Sequence, residues 1–136
     1  MATLRLEIVT PEAKTYSEDV DMVVVPGLEG EMGILPHHVP LMTQLKPGEL
    51  KVTRNGESIY LAVGEGFVEI TQERVSVLTD MAIAETSIDE GAAQAAVERA
   101  QAAMKNKDLS SEEVAAVSAS LQKSLAQLHV KRHRHG

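Results

Sequence analysis

The side chains best suited to acid–base or metal chemistry in this 136-residue chain are five histidines, and they fall into two groups. His37 and His38 adjoin within a stretch rich in glycine and proline. An imidazole there has the right intrinsic basicity for a general base. No serine or cysteine nucleophile with supporting groups stands nearby, and adjacent residues need not face the same side, so a loop contact to a partner is expected instead. His129 and His133 are spaced i, i+4, which on a helix sets two imidazoles on one face, as a divalent metal would need. With His135 they belong to a basic C-terminus lacking a nearby carboxylate or thiol, so a solvated tail and no metal are expected. Gly64-Glu65-Gly66 has glycines at the spacing of a phosphate loop but not the strand-to-helix setting, and reads as a bend between strands.

The elements that must position these groups begin with residues 26–40, Pro26-Gly27-Leu28-Glu29-Gly30-Glu31-Met32-Gly33-Ile34-Leu35-Pro36-His37-His38-Val39-Pro40. Proline removes backbone donors and fixes φ, while glycine permits positive φ, so no helix forms here. An ordered surface loop on a β scaffold is expected, the kind of segment that carries function.

Upstream and downstream the pattern is β. Leu4, Leu6 and Ile8 alternate with polar neighbours, and Val20, Met22 and Val24 repeat the alternation before Pro26-Gly27 ends it. Asn55-Gly56 lies between Leu50–Arg54 and Ser58–Val63, the arrangement of a type I′ hairpin. Phe67–Ile70 and Val75–Leu78 form a second pair across Thr71–Arg74. Short strands at regular spacing predict a small β-sandwich or flattened barrel.

The remainder reads as two antiparallel helices, giving an α+β chain with a sandwich over residues 1–86 and a hairpin over 87–136. Ser87-Ile88-Asp89-Glu90 reads as a capping box opening an alanine-rich helix, and Lys105–Asp108 breaks it. Ser110-Ser111-Glu112-Glu113 supplies a second box, after which Val114, Val117, Leu121, Leu125 and Leu128 form one apolar stripe. Alanine contributes little packing, at about 0.8 kcal/mol per buried CH₂. The hairpin should therefore hold by only a few kcal/mol and could exchange between two partners.

Composition excludes several classes. There is no cysteine, hence no disulfide or thiolate zinc site, and only Tyr16, Tyr60 and Phe67 are aromatic. No run of about 18 apolar residues spans a membrane, and the N-terminus lacks signal-peptide anatomy. The net charge of −7 divides unevenly, −8 over residues 1–86 and +1 over residues 87–136. After Val114 no side chain is acidic, while Lys123, Lys131, Arg132 and Arg134 are basic. That helix has no aromatics to stack on bases and suits an acidic protein surface better than nucleic acid. No enzyme site emerges.

The segment Gly30–Leu41 resembles the G-x-[FL]-G-[IV]-L-P-x-H-x-P-L signature of the ε subunits of F-type ATP synthases. The resemblance continues through Leu45-Lys46-Pro47-Gly48, Ala62–Ile70 and Val75–Glu85, with Glu65 where a second glycine often sits. It implies a non-catalytic rotor subunit linking the γ subunit to the c-subunit ring in proton-driven ATP synthesis. The implied partner contacts are Glu29, Glu31, Met32, Ile34, Leu35, His37 and His38, with the acidic sandwich suited to basic loops on the ring. The hairpin would inhibit ATP hydrolysis through Lys123, Lys131, Arg132 and Arg134, reaching transiently to the catalytic β and α subunits. Membrane association would come only through the complex, at the cytoplasmic face of the bacterial inner membrane.

Two departures limit what carries over. ATP-sensing members show I-D-x-x-R-A, whereas Ile88-Asp89-Glu90-Gly91-Ala92-Ala93 has alanine in place of arginine. A methyl group cannot clamp phosphate, so weak or absent ATP binding and no cofactor are expected. Arginines frequent in the last helix are reduced, with Lys123 and Gln127 at roughly those places. The alternatives are a purely structural hairpin on the same subunit, or a free-standing small β-domain binding module.

Overall fold

The computed structural model describes residues 2–12 and 14–135, apart from the side chains of Lys14, Thr15, Arg134 and His135. Ten strands precede two helices: β1 (Leu4–Val9), β2 (Lys14–Val20), β3 (Met22–Gly27), β4 (Gly30–Ile34), β5 (Leu41–Leu45), β6 (Gly48–Arg54), β7 (Glu57–Val63), β8 (Gly66–Ile70), β9 (Arg74–Thr79), β10 (Ala82–Ala84), α1 (Glu90–Met104) and α2 (Ser111–His135). A 3₁₀ turn, Glu85–Ser87, joins sheet to helices.

The strands follow the order β10-β7-β6-β3-β5-β8-β9-β1-β2, with β4 on β3. Between β3 and β5 the sheet narrows to a single residue pair, Gly27 with Leu45, and there it folds over. Residues from both halves then share one aliphatic core: Val23, Val25 and Val52 on one side, Leu6, Val68 and Val77 on the other, all fully buried. Period-2 alternation is the cause, since each strand sends every second side chain inward. The expected sandwich and hairpin are thus present. The Asn55-Gly56 turn has both residues at positive φ, 53° and 80°, as type I′ requires.

Four local features differ from the sequence reading. The alternation Val20, Met22, Val24 changes phase at Asp21, which lies between β2 and β3, so Val20, Val23 and Val25 are buried while Met22 and Val24 are half-exposed. Half of the 26–40 stretch is not loop: β4 pairs with β3 from Val23↔Ile34 to Gly27↔Gly30, closing a tight turn at Leu28-Glu29. The cap of α1 is Asp89, whose side chain accepts from the Ala92 N–H at 3.0 Å. Ser87 cannot serve, because residues 85–87 are taken into the 3₁₀ turn and Ile88 is extended and buried. Finally, α2 buries Ser124, Ala126, Leu128 and Val130 rather than one stripe, and leaves Val114 and Leu125 exposed. It meets two surfaces at once: Leu121 and Leu128 pack with Ala93 and Val97 of α1, while Ala126 and Val130 pack with Ala62 and Ile88.

The second capping box forms as read, with Glu113 N–H donating to Ser110 Oγ at 3.1 Å and Ser110 N–H to Glu113 Oε1 at 3.0 Å. Those bonds favour the carboxylate and hold Glu113 below its ordinary 4.5.

Candidate functional site

The sandwich offers two ends and one apolar face. At one end the Leu28-Glu29 turn is held by Leu28 N–H donating to Gln44 O at 2.9 Å and Lys46 N–H to Pro26 O at 3.0 Å. Leu28, Glu29 and Glu31 are exposed there. At the other end the loop after β4 exposes Leu35, His37 and Val39, and half-exposes His38. His37 has φ 66°, a left-handed conformation held by its N–H donating to Gln72 O at 3.0 Å. A non-glycine residue there carries strain of order 1 kcal/mol. His38 Nδ1 lies 2.7 Å from Val39 O.

The structure therefore separates residues that the sequence reading grouped. Glu29 and His37 lie at opposite ends of β4, whose rise alone spans roughly 13 Å. Ile34 is fully buried and reaches no partner; inward alternation on β4 makes it a core residue. Met32 is half-buried and packs on the same core.

An apolar face was missed altogether. Antiparallel pairing sets Gln44 opposite Phe67 and Phe67 opposite Leu78, with Met42 two residues along β5. Met42 is 62% exposed, Phe67 50% and Leu78 48%. Inward Val68 and Ile70 were the available signal: strand alternation turns Phe67 outward. Together they form an exposed apolar patch that holds the chain's single phenylalanine.

Gly64 and Gly66 are explained by close approach. A Cβ on Gly66 would collide with the Leu78 carbonyl, and one on Gly64 with the Asp80 carboxylate. Gly64 is buried and its N–H donates to Met81 O at 3.0 Å, while Glu65 is exposed, so the segment is the expected bend between β7 and β8.

On the hairpin, three of the four basic residues singled out are in ion pairs. Lys123 Nζ lies 3.3 Å from Asp80 Oδ2, Lys131 Nζ 3.4 Å from Glu85 Oε1, and Arg132 Nε 3.3 Å from Glu90 Oε2. Arg132 also donates to Gln94 Oε1 at 2.7 Å. The Arg134 side chain lies outside the described residues. His129 and His133 are on the ordered α2 rather than a frayed tail, with their rings stacked 5.4 Å apart. They line a cleft of about 540 Å³ opposite Glu31, Lys46 and Glu49. Among the described residues no three histidine or acidic side chains are placed to hold a metal, and no helix is long and apolar enough to cross a membrane.

Comparison with known proteins gives two matching family models. ATP synthase, Delta/Epsilon chain, beta-sandwich domain covers residues 3–85, and the long alpha-helix domain of the same chains covers residues 86–132. The ATP synthase epsilon chain of Dehalococcoides mccartyi is 47% identical over 137 aligned positions, covering 99% of this chain and 98% of the relative. That of Herpetosiphon aurantiacus is 42% identical over 131, covering 96% of each. Among solved structures, the Euglena gracilis mitochondrial ATP synthase (OSCP/F1/c-ring) contains a chain similar at TM-score 0.79 and 24% identity, covering 98% of this chain and 83% of that one. The Tetrahymena thermophila mitochondrial ATP synthase (central stalk/c-ring) has one at TM-score 0.60 and 11% identity, covering 94% and 96%. The structural likenesses speak for the fold.

Proposed function

This chain belongs to the ATP synthase delta/epsilon family, and from that premise we propose that it links the γ subunit to the c-subunit ring on the rotor, with a hairpin that inhibits ATP hydrolysis. The observation that carries the reading is the match of both family domains, in order, along residues 3–132. In this role the protein makes and breaks no bonds; it transmits torque and positions its neighbours.

Surface chemistry supports the assignment of faces. The Met42–Phe67–Leu78 patch fits the apolar side of a permanent γ interface, since burying about 100 Å² of such surface is worth about 2.5 kcal/mol. The exposed Leu28-Glu29 turn, with Glu31 beside it, fits the basic polar loops of the ring, and His37 and His38 face γ or the ring from the opposite end of β4. The hairpin reaches transiently to the catalytic β and α subunits. Attachment to the bacterial inner membrane, on its cytoplasmic side, comes through the complex.

ATP is no ligand in this reading. Ala92 offers a methyl group where phosphate needs a guanidinium, Asp89 caps α1, and Ile88 is buried under α2. Micromolar ATP affinity by calorimetry on the isolated chain would overturn this part.

The test of the γ contact is Phe67→Asp, which places a charge in the apolar face without touching the core. Co-purification with γ should fall at least tenfold while the fold, by circular dichroism, is unchanged. Undiminished γ binding would refute the assigned face.

A further inference from the structure

We infer that Asp80 and Glu85, on the segment leaving the sandwich, form a latch that occupies the regulatory cations of α2, so that docking and inhibition compete for the same side chains. The inference rests on the inhibitory reading of the hairpin. Lys123, Lys131 and Arg132 are the cations beyond Val114 whose side chains are described, and all three are paired. Two of the three partners, Asp80 and Glu85, come from the sandwich, and the third, Glu90, comes from α1.

The two sandwich pairs bracket a small apolar contact. Ala126 and Val130 press on Ala62 and Ile88, with Lys123 before them and Lys131 after. Tyr60, Met81 and Ile83 pack around this contact, but α2 itself buries only an alanine and a valine there, which leaves the ion pairs a share in fixing where the helix docks. Lys131 and Glu85 are also the best-shielded pair of the three, with side chains 17% and 19% exposed. Lys131 Nζ further donates to the Glu85 backbone carbonyl at 3.3 Å. Shielding strengthens the attraction, so loss of either charge costs more here than at a solvent-exposed pair.

A hairpin that leaves the sandwich must break both pairs, and the freed lysines are then available to an acidic partner. The two bound states draw on one set of charges, so whatever favours one disfavours the other. This predicts opposite signs for neutralisation on the two sides. Removing charge from the sandwich frees the hairpin with its cations intact. Removing it from α2 frees the hairpin but takes away what it would bind with.

The chain has no cysteine, so single introduced thiols report single positions. Ala126→Cys, buried between α2 and the sandwich, reads undocking through its labelling rate, and Val68→Cys, in the core, reads global unfolding. In the full chain, Glu85→Gln and Lys131→Gln should each raise labelling at position 126 by about tenfold, and combining them should add little. Labelling at position 68 should not change. Asp80→Asn, at a more exposed pair, should act in the same direction by a smaller factor. In hydrolysis by the catalytic head, Glu85→Gln should inhibit more than the parent, and Lys131→Gln should not, despite equal undocking. Unchanged labelling at position 126 in both single variants would overturn the latch. Equal gains of inhibition in both would overturn the competition. Raised labelling with hydrolysis indifferent to every variant, and to loss of residues 88–136, would instead remove the inhibitory reading and leave a docking latch.

Discussion

The sandwich and the hairpin are held by different means. The sandwich closes over a continuous aliphatic core in which Leu6, Ile8, Val52 and Val77 are completely buried. The hairpin meets it through Ala62, Ile88, Ala126 and Val130, with ion pairs at the margin. One body is fixed by surface it cannot expose without unfolding; the other is attached by contacts that water and another protein could replace. The regulatory role proposed for the hairpin needs that inequality.

The largest difference between the two bodies is expected from substitutions in their buried contacts. Leu6→Ala should destabilise the sandwich by about 3 kcal/mol or more, seen as a large fall in the denaturant midpoint. Val130→Ala, equally buried but at the hairpin contact, should cost about 2 kcal/mol of docking. Its loss should appear in hydrogen exchange of α2 and leave the sandwich's exchange unchanged. If both substitutions lowered both regions together, the two bodies would be one cooperative unit.

His37→Gly removes a side chain from a left-handed position and should leave stability within about 1 kcal/mol of the parent, in either direction, because glycine relieves strain but loosens the unfolded chain. It should still weaken partner binding if the imidazole makes the contact. The smallest effect concerns Glu113. Its carboxyl is held below 4.5 by the Ser110 bonds, so the folded state binds its proton less well than the unfolded state. The cap is complete above pH 4.5 and is lost as pH falls below it. Glu113→Gln should abolish that acid-dependent fraying at the start of α2, read by exchange of residues 111–115.

Much of this was legible from side-chain pattern. The Asn55-Gly56 turn announces itself through residues that tolerate positive φ, the β8–β9 pair through period-2 alternation, and the Ser110 box through side chains that bond backbone N–H groups. The failures share a cause as well. In β4, Gly30 and Gly33 replace the side chains that would have shown alternation, so a strand read as loop. The phase change at Asp21 depends on a bend between two strands that propensity does not encode. The α2 surface was misread because spacing defines a face but not the neighbour it meets, and here two neighbours share the helix. The Met42–Phe67–Leu78 face joins residues from three strands, and only pairing and register bring them together.

In the proposed role the sandwich binds the rotor while the hairpin restrains hydrolysis. The most direct test is ATP hydrolysis by the purified catalytic head from the same source, with added full-length protein or a version ending at Glu85. The full-length protein alone should inhibit, with both forms binding γ. Equal hydrolysis with either form, both bound to γ, would contradict this and leave a hairpin with a structural role.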